Sequence, residues 1–429
     1  MARRLLLFVA IAALVVGVAV WLADRPGTVI LHFDGWRVDT SVPVLALALV
    51  LAVAAVELAW RLVRAVVSAP RRWRDRRRAR RTRDGYRALS DGLAAVATGD
   101  HRAARKLAKR ADKLLADHAL TGLLTARAAE LSGDAGEAGR RLTVMLERPE
   151  TAFLGLKGLM DQALERGDRA AALDYARRAW ASNPAASEDL AVTLFDLQAR
   201  AGQWSEAELT LAEAARRGAL AGPQLLRRRA IARNERAAAA EAAGDLAEAA
   251  SLALEAHRAD PALAAAAARA AGLLHRLGKD RKAAAVIEAA WRAAPDPALV
   301  EAWVGLAPAE TALARVKRME RLLRANPDAA DGHLGLAEAA IAARLWGQAR
   351  NHLTIAAAGR PAAACRALAR LEREDGKDET DAAAWSAKAA AAPSDPAWAC
   401  PACGARAETW SALCPGCGAV DSLARSNRP

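Results

Sequence analysis

The sequence predicts an all-α protein: a two-span membrane hairpin, then a solenoid of paired helices, then a small C-terminal metal knuckle. Three observations carry this. Two apolar stretches open the chain, one residue pattern returns about every 34 positions over residues 99–393, and two Cys-x-x-Cys-Gly runs close it. The 429 residues are too many for one compact core and suit several units.

The first element is residues 5–23, nineteen positions without a charge, preceded by Arg3 and Arg4. A short polar segment, residues 24–41, separates it from a second apolar stretch, residues 42–60, interrupted only by Glu57. Each is about long enough to cross a hydrocarbon core of ~30 Å. A cleaved signal peptide is the competing reading of the first stretch, but its apolar run is long and a second span follows at once. Glu57 lies within a turn of Trp60 and Arg61, so pairing with Arg61 or snorkelling to the interface is expected rather than proton handling.

Residues 61–83 carry eleven Arg and one acid, Asp75, which is +10 of the chain's net +13. A basic run alone could bind nucleic acid. Beside a membrane span it reads instead as a juxtamembrane segment lying on anionic headgroups. Arginine before the first span and after the second, with only Arg25 and Arg37 between, places both ends in the cytoplasm and the loop outside. The localisation expected is a multi-pass protein of the bacterial inner membrane with its C-terminus cytoplasmic.

The loop reads Asp24-Arg25-Pro26-Gly27-Thr28-Val29, then Gly35-Trp36-Arg37-Val38-Asp39-Thr40-Ser41, and Pro70-Arg71-Arg72-Trp73 follows the second span. This pattern resembles the N-terminal region of the proteobacterial HemY family, membrane-anchored repeat proteins distinct from the protoporphyrinogen oxidase of the same name. The resemblance implies a role in haem biosynthesis as a scaffold for pathway enzymes, and supplies no catalytic residue.

The repeat pattern is a Gly, an Ala five positions on and a Pro seventeen positions on. It is complete at Gly167/Ala172/Pro184, Gly244/Ala249/Pro261 and Gly278/Ala283/Pro295. Gly99/Ala104, Gly133/Ala138, Gly202/Ala207, Glu310/Pro327, Arg344/Ala349/Pro361 and Gly376/Pro393 keep parts of it. A period of 34 with these positions is a tetratricopeptide (TPR) signature. Gly turns the chain between two helices, Ala lets the second helix sit close, and Pro ends the unit. Tyr86 to Ala97 and His101 to Leu114 are expected as the first helix pair. The step from Gly202 to Gly244 is eight residues longer than 34, which predicts an extended helix after Pro223. Trp180, Trp204, Trp291 and Trp346 fall near helix ends and read as wedges between helices.

Stacked helix pairs make a groove that binds other proteins. No Gly-rich phosphate loop and no nucleophile beside a base appears. The seven His (His32, His101, His118, His257, His275, His333, His352) show no metal spacing. The expected partners are therefore proteins in the groove, haem-biosynthetic enzymes by the resemblance, and lipids at the spans and Arg-rich segment, with no nucleic acid and no enzyme activity.

The C-terminus reads Cys400-Pro401-Ala402-Cys403-Gly404 and Cys414-Pro415-Gly416-Cys417-Gly418. Two residues between cysteines let both sulfurs converge on one ion, so Cys400, Cys403, Cys414 and Cys417 are predicted metal ligands of a zinc-ribbon or rubredoxin-like knuckle. Four ligands leave no open position, which makes the metal structural. Zinc suits the set, iron does also, and thiolate ligation of haem through the two Cys-Pro dipeptides is a third reading. A reducing cytoplasm argues against disulfides. Cys365, in an Ala-rich stretch, reads as a small buried side chain. The knuckle resembles the metal domain of the adaptor LapB, which implies docking back on the repeats through Trp398 and Trp410. Residues 1–60 are thus the membrane hairpin, 61–83 the Arg-rich segment, 84–393 the repeat array and 394–429 the knuckle and tail.

Overall fold

The computed structural model describes residues 17, 20, 21, 27–33, 36–115, 118–182, 187–376 and 379–426. Nearly all of the first predicted span lies outside the described residues, as do Gly35 of the loop pattern and Pro184 of the repeat pattern. The chain divides into two compact units, Met1–Ser132 and Gly133–Pro429.

In the first unit, the segment expected only as a polar loop contains an antiparallel hairpin of β1 (Thr28–Phe33) and β2 (Trp36–Ser41), in register from Thr28↔Ser41 to Phe33↔Trp36. Asp-Gly between two alternating runs is a strong hairpin signal, so this strand pairing was legible in the sequence and was missed. The Val42 amide donates to the Gly27 carbonyl (3.1 Å), tying the hairpin base to the helix that follows.

That helix, α1 (Val42–Ala97), runs for 56 residues without interruption. The second span, the Arg-rich segment and the first repeat helix are one rod of about 84 Å. The boundaries expected after residues 60 and 83 are changes of composition within it, and the helix expected to begin at Tyr86 is its last part. No Gly occurs between residues 42 and 84, and Arg, Ala and Leu are strong helix formers. Its apolar window, Val44–Arg64, has no residue buried against protein and is about 31 Å long, matching a hydrocarbon core. Glu57 pairs with Arg61 (2.9 Å), as expected. Beyond the window, Arg77 lies over the exposed Trp73 ring at 5.2 Å. The end of α1 packs against α2 (His101–Leu114) and α3 (His118–Leu131) around Leu89, Ala104, Ala108 and Leu124.

The second unit holds α4 (Ala135–Met145), α5 (Pro149–Glu165), α6 (Arg169–Ser182), α7 (Glu188–Arg200) and α8 (Trp204–Arg216). It continues with α9 (Gly222–Ala242), α10 (Leu246–Ala259), α11 (Ala264–Arg276), α12 (Asp280–Ala293), α13 (Pro297–Gly305) and α14 (Ala312–Ala325). Last come α15 (Ala330–Ala342), α16 (Trp346–Ala356), α17 (Pro361–Glu374) and α18 (Glu379–Ala391), then β3 (Ala397–Ala399), β4 (Arg406–Ala407) and β5 (Ala424–Ser426). The first helices of successive pairs touch one another, α9 with α11, α11 with α13, α13 with α15 and α15 with α17, so they line one face.

Each predicted turn falls between two helices. Gly99, Gly133, Gly167, Gly202, Gly244, Gly278 and Gly376 take φ between 69° and 86°, which a side chain would oppose. The seven alanines five positions past a turn (Ala104, Ala138, Ala172, Ala207, Ala249, Ala283, Ala349) are all 0% exposed, which is why nothing larger stands there. Glu310 departs from the pattern, and the chain departs with it: that connection uses a Thr311 cap on the Ala314 amide instead of a left-handed residue. Arg344 keeps the geometry without the glycine, at φ 59°. Arg344→Gly is therefore expected to raise stability by about 1 kcal/mol, read as a higher denaturation midpoint.

The long step predicts the 21-residue α9 correctly. Trp291 is fully buried and Trp180 nearly so, the wedge role expected of them, while Trp204 and Trp346 are half-buried against the same cores. Cys365 is half-buried, not buried as expected.

Candidate metal centre and its seam with the repeats

Local sequence builds the knuckle from two copies of one turn. The Gly404 amide donates to the Cys400 carbonyl (2.8 Å), and the Gly418 amide to the Cys414 carbonyl (2.8 Å). The Cys400 and Cys414 amides donate in turn to the carbonyls of Ala405 and Ala419, both at 2.9 Å. Gly404 and Gly418 stand at φ 73° and 70°, so the glycine after each second cysteine is a backbone requirement. A three-stranded sheet in the order β4-β3-β5 backs these turns, with Trp398 opposite Ala407 on one side and Arg425 on the other.

The four predicted ligands come together. The sulfurs of Cys400, Cys403, Cys414 and Cys417 all lie within 4.8 Å of one another and can hold a metal ion. Cys400 Sγ is 3.8 Å from Cys417 Sγ, and Cys403 Sγ 3.6 Å from Cys414 Sγ. Metal–sulfur bonds of about 2.3 Å in a tetrahedron require an edge of about 3.8 Å. The donor set therefore fits a closed four-thiolate site. The Ser422 hydroxyl, followed by the Cys403 and Ala402 amides, pulls the Cys400 thiol down to about 6 against its burial. The Ala405 amide favours the Cys403 thiolate, but the facing Cys414 sulfur, burial and the other two sulfurs push it up to about 12. Sulfurs this close cannot all ionise unless a cation sits among them.

The knuckle docks on the array, but not where expected. Trp410 packs with Ala412 on Ala230 and Ile231 of α9, Ala256 of α10, and Leu263 and Ala266 at the start of α11. These are middle repeats, whereas the last ones were expected. Trp398 stays in the knuckle's own core beside Cys400 and Leu423. The linker reaches the late repeats as well: Arg366 of α17 pairs with Asp395 (3.0 Å), and Arg360 donates to the Pro396 carbonyl (3.3 Å).

Charged groups decide this position. Arg227 of the long α9 binds both carboxylate oxygens of Asp421 (2.9 and 2.7 Å) and one of Asp260 (2.9 Å). Burial opposes its charge, yet the hydrogen bonds to Asp421 and then Asp260 outweigh that and raise its pKa. Arg425 lies 3.2 Å from Asp331 and 3.8 Å from Asp296, and Arg360 lies 3.1 Å from Asp331. Burial pushes the Asp296 carboxyl up, only partly offset by the Ala298 amide and Arg425, and Asp331 adds to the push. None of these residues carried a sequence signal, since Arg227 and Asp421 are 194 positions apart.

One histidine pair also went unforeseen. His333 and His352 face each other with their Nδ1 atoms 2.9 Å apart, and His333 Nε2 donates to the Pro327 carbonyl (2.8 Å). With that proton on Nε2, a neutral His333 accepts at Nδ1 and His352 donates from its own. Burial, and then His333, holds His352 below the usual range. As pH falls below about 6.5, the unfolded chain takes up this proton before the folded one does. Stability should drop there by up to ~1.4 kcal/mol per pH unit, until the lowered folded value is passed. Melting curves at pH 7.5 and 5.5 should show a larger loss for the wild type than for His352→Asn.

Residues 27–133 match the family profile described as HemY protein N-terminus. Along 99% of this chain and 93% of its own, the probable magnetosome protein Mms48 of Magnetospirillum gryphiswaldense is 31% identical. Similar solved structures include MamA, with 16% identity, coverage of 36% of this chain and 92% of that chain, and a TM-score of 0.25. They include the TPR2AB domain–pHSP90 complex of yeast Sti1 at 15%, 71%, 98% and 0.28. At TM-scores this low the overlaps support no argument about partners. The hairpin, the rod that follows it and the match along nearly the whole chain agree: this chain is a membrane-associated TPR protein and belongs to the HemY family.

Proposed function

We propose that the protein is a membrane-anchored scaffold for protein–protein interaction, associated with haem biosynthesis, that organises pathway enzymes at the cytoplasmic face of the inner membrane. It is not an enzyme on this reading. The observation that carries it is the continuity of α1, which ties a membrane-length apolar segment directly into the first repeat. Two apolar stretches of span length in the sequence, and the arginines flanking them, support the cytoplasmic placement.

The knuckle's role is structural: Cys400, Cys403, Cys414 and Cys417 would hold zinc in a closed site that supplies folding energy rather than an open coordination position. The same set suits iron, and metal analysis of the purified protein distinguishes the two. All four sulfurs turn toward one another, which supports a single ion over haem ligation. Affinity capture from detergent-solubilised membranes should recover tetrapyrrole enzymes, and deletion should cause porphyrin build-up. Stabilisation of one envelope enzyme with porphyrins unchanged would overturn this in favour of a LapB-like adaptor. A second reading, a metal- or redox-responsive regulator, draws on the way the knuckle bridges α9 and α17. It requires Cys400→Ser to abolish a response to metal or oxidant while client binding persists.

A further inference from the structure

Between the knuckle and the repeats lies a cavity of about 440 Å³. Trp398 and Trp410 form its knuckle wall, and Ala265 and Pro297, from the starts of α11 and α13, form its array wall. Three arginines reach it, and each is already held: Arg227 by Asp421 and Asp260, Arg360 by Asp331, Arg425 by Asp331 and Asp296. Two more carboxylates line it, Glu301 of α13 and Glu408 of the knuckle, both exposed and with no ion pair among the described residues. The aspartates that hold the three arginines meet their charge, which leaves Glu301 and Glu408 without a matching cation among the described residues.

We infer that this seam is a binding site for one arginine side chain of a protein partner. A guanidinium is planar, stacks on indole faces and hydrogen-bonds to carboxylates in a fixed fork, so Trp398 and two unpaired glutamates are its complement, beside a Trp410 ring that already carries Arg227 at 5.7 Å. Lysine would meet the same charge without the stacking geometry. Glu301 also borders a second cavity of about 700 Å³ along α13, α15 and α17, lined by Gly305, Gly335 and Ala342. Residues flanking the arginine can lie there beside Gly305, where nothing stands within 4 Å of a side-chain position.

The site stands whether or not the partners are haem enzymes, because it follows from the docked knuckle alone. The test is calorimetric titration of the full, metal-loaded chain in detergent with acetyl-Ala-Arg-Ala-amide and with its citrulline counterpart, which keeps the shape and loses the charge. The arginine peptide should bind about tenfold or more tighter than the citrulline peptide. The double variant Glu301→Gln/Glu408→Gln should weaken it by about tenfold, with metal content and melting temperature unchanged. Equal binding of the two peptides, undiminished binding by the double variant, or no binding of either peptide would each overturn the proposal. Loss of haem-enzyme capture with peptide binding intact would count against the scaffold reading and leave this site standing.

Discussion

Cys400→Ser is expected to strip the metal and unfold residues 394–426 while leaving the repeats and the membrane association in place. The knuckle is too small to bury a sufficient core of its own, so its folding free energy is largely metal-binding free energy, on the order of 10 kcal/mol for structural sites of this kind. Its copied turns hold the sulfurs at 3.6 and 3.8 Å, spacings that leave like charges crowded once the ion is gone. Metal analysis should fall from about one ion per chain to near none, as expected for a four-ligand site that loses a ligand. Limited proteolysis should then cut beyond Pro393. A knuckle that resists protease after chelation would show that docking alone suffices to fold it.

Arg227→Met is expected to cost about 3 kcal/mol, because it leaves Asp421 and Asp260 half-buried without their cation. In a solenoid each repeat touches only its neighbours, so most substitutions act locally. This one acts between α9 and a segment 194 positions away. Hydrogen exchange should therefore rise together in the knuckle and at the start of α9, not in α9 alone. Asp421→Asn added to Arg227→Met should cost far less than Asp421→Asn alone, since the two side chains share one interaction. Additive costs would show that the triad does not hold the knuckle in place.

The positions legible in advance were those whose physics is local. A glycine at each turn, an alanine where two helices approach and a thiol pair two residues apart all act within one or two turns of chain, so spacing reveals them. The one turn without a glycine or arginine in its place, Glu310, is the one whose backbone differs. The β1–β2 hairpin is also local, and its alternating runs with Asp-Gly between them are the signal that reveals it. The His333–His352 pair, at a spacing of nineteen, arises only when α15 packs on α16.

The order of parts, the long apolar segment, the turns and the clustering of four cysteines were determined by the amino-acid sequence, because helix propensity, backbone freedom and Cys-x-x-Cys spacing are short-range properties. Where the knuckle rests was decided only by tertiary structure. Expected on the last repeats through two tryptophans, it sits on the middle ones through Trp410 and the Arg227 triad. The stack places the Asp260, Asp296 and Asp331 carboxylates at the starts of successive pairs, and only that placement gives Arg227, Arg360 and Arg425 their partners. Complementarity between charges so far apart in the chain exists nowhere until the helices are packed.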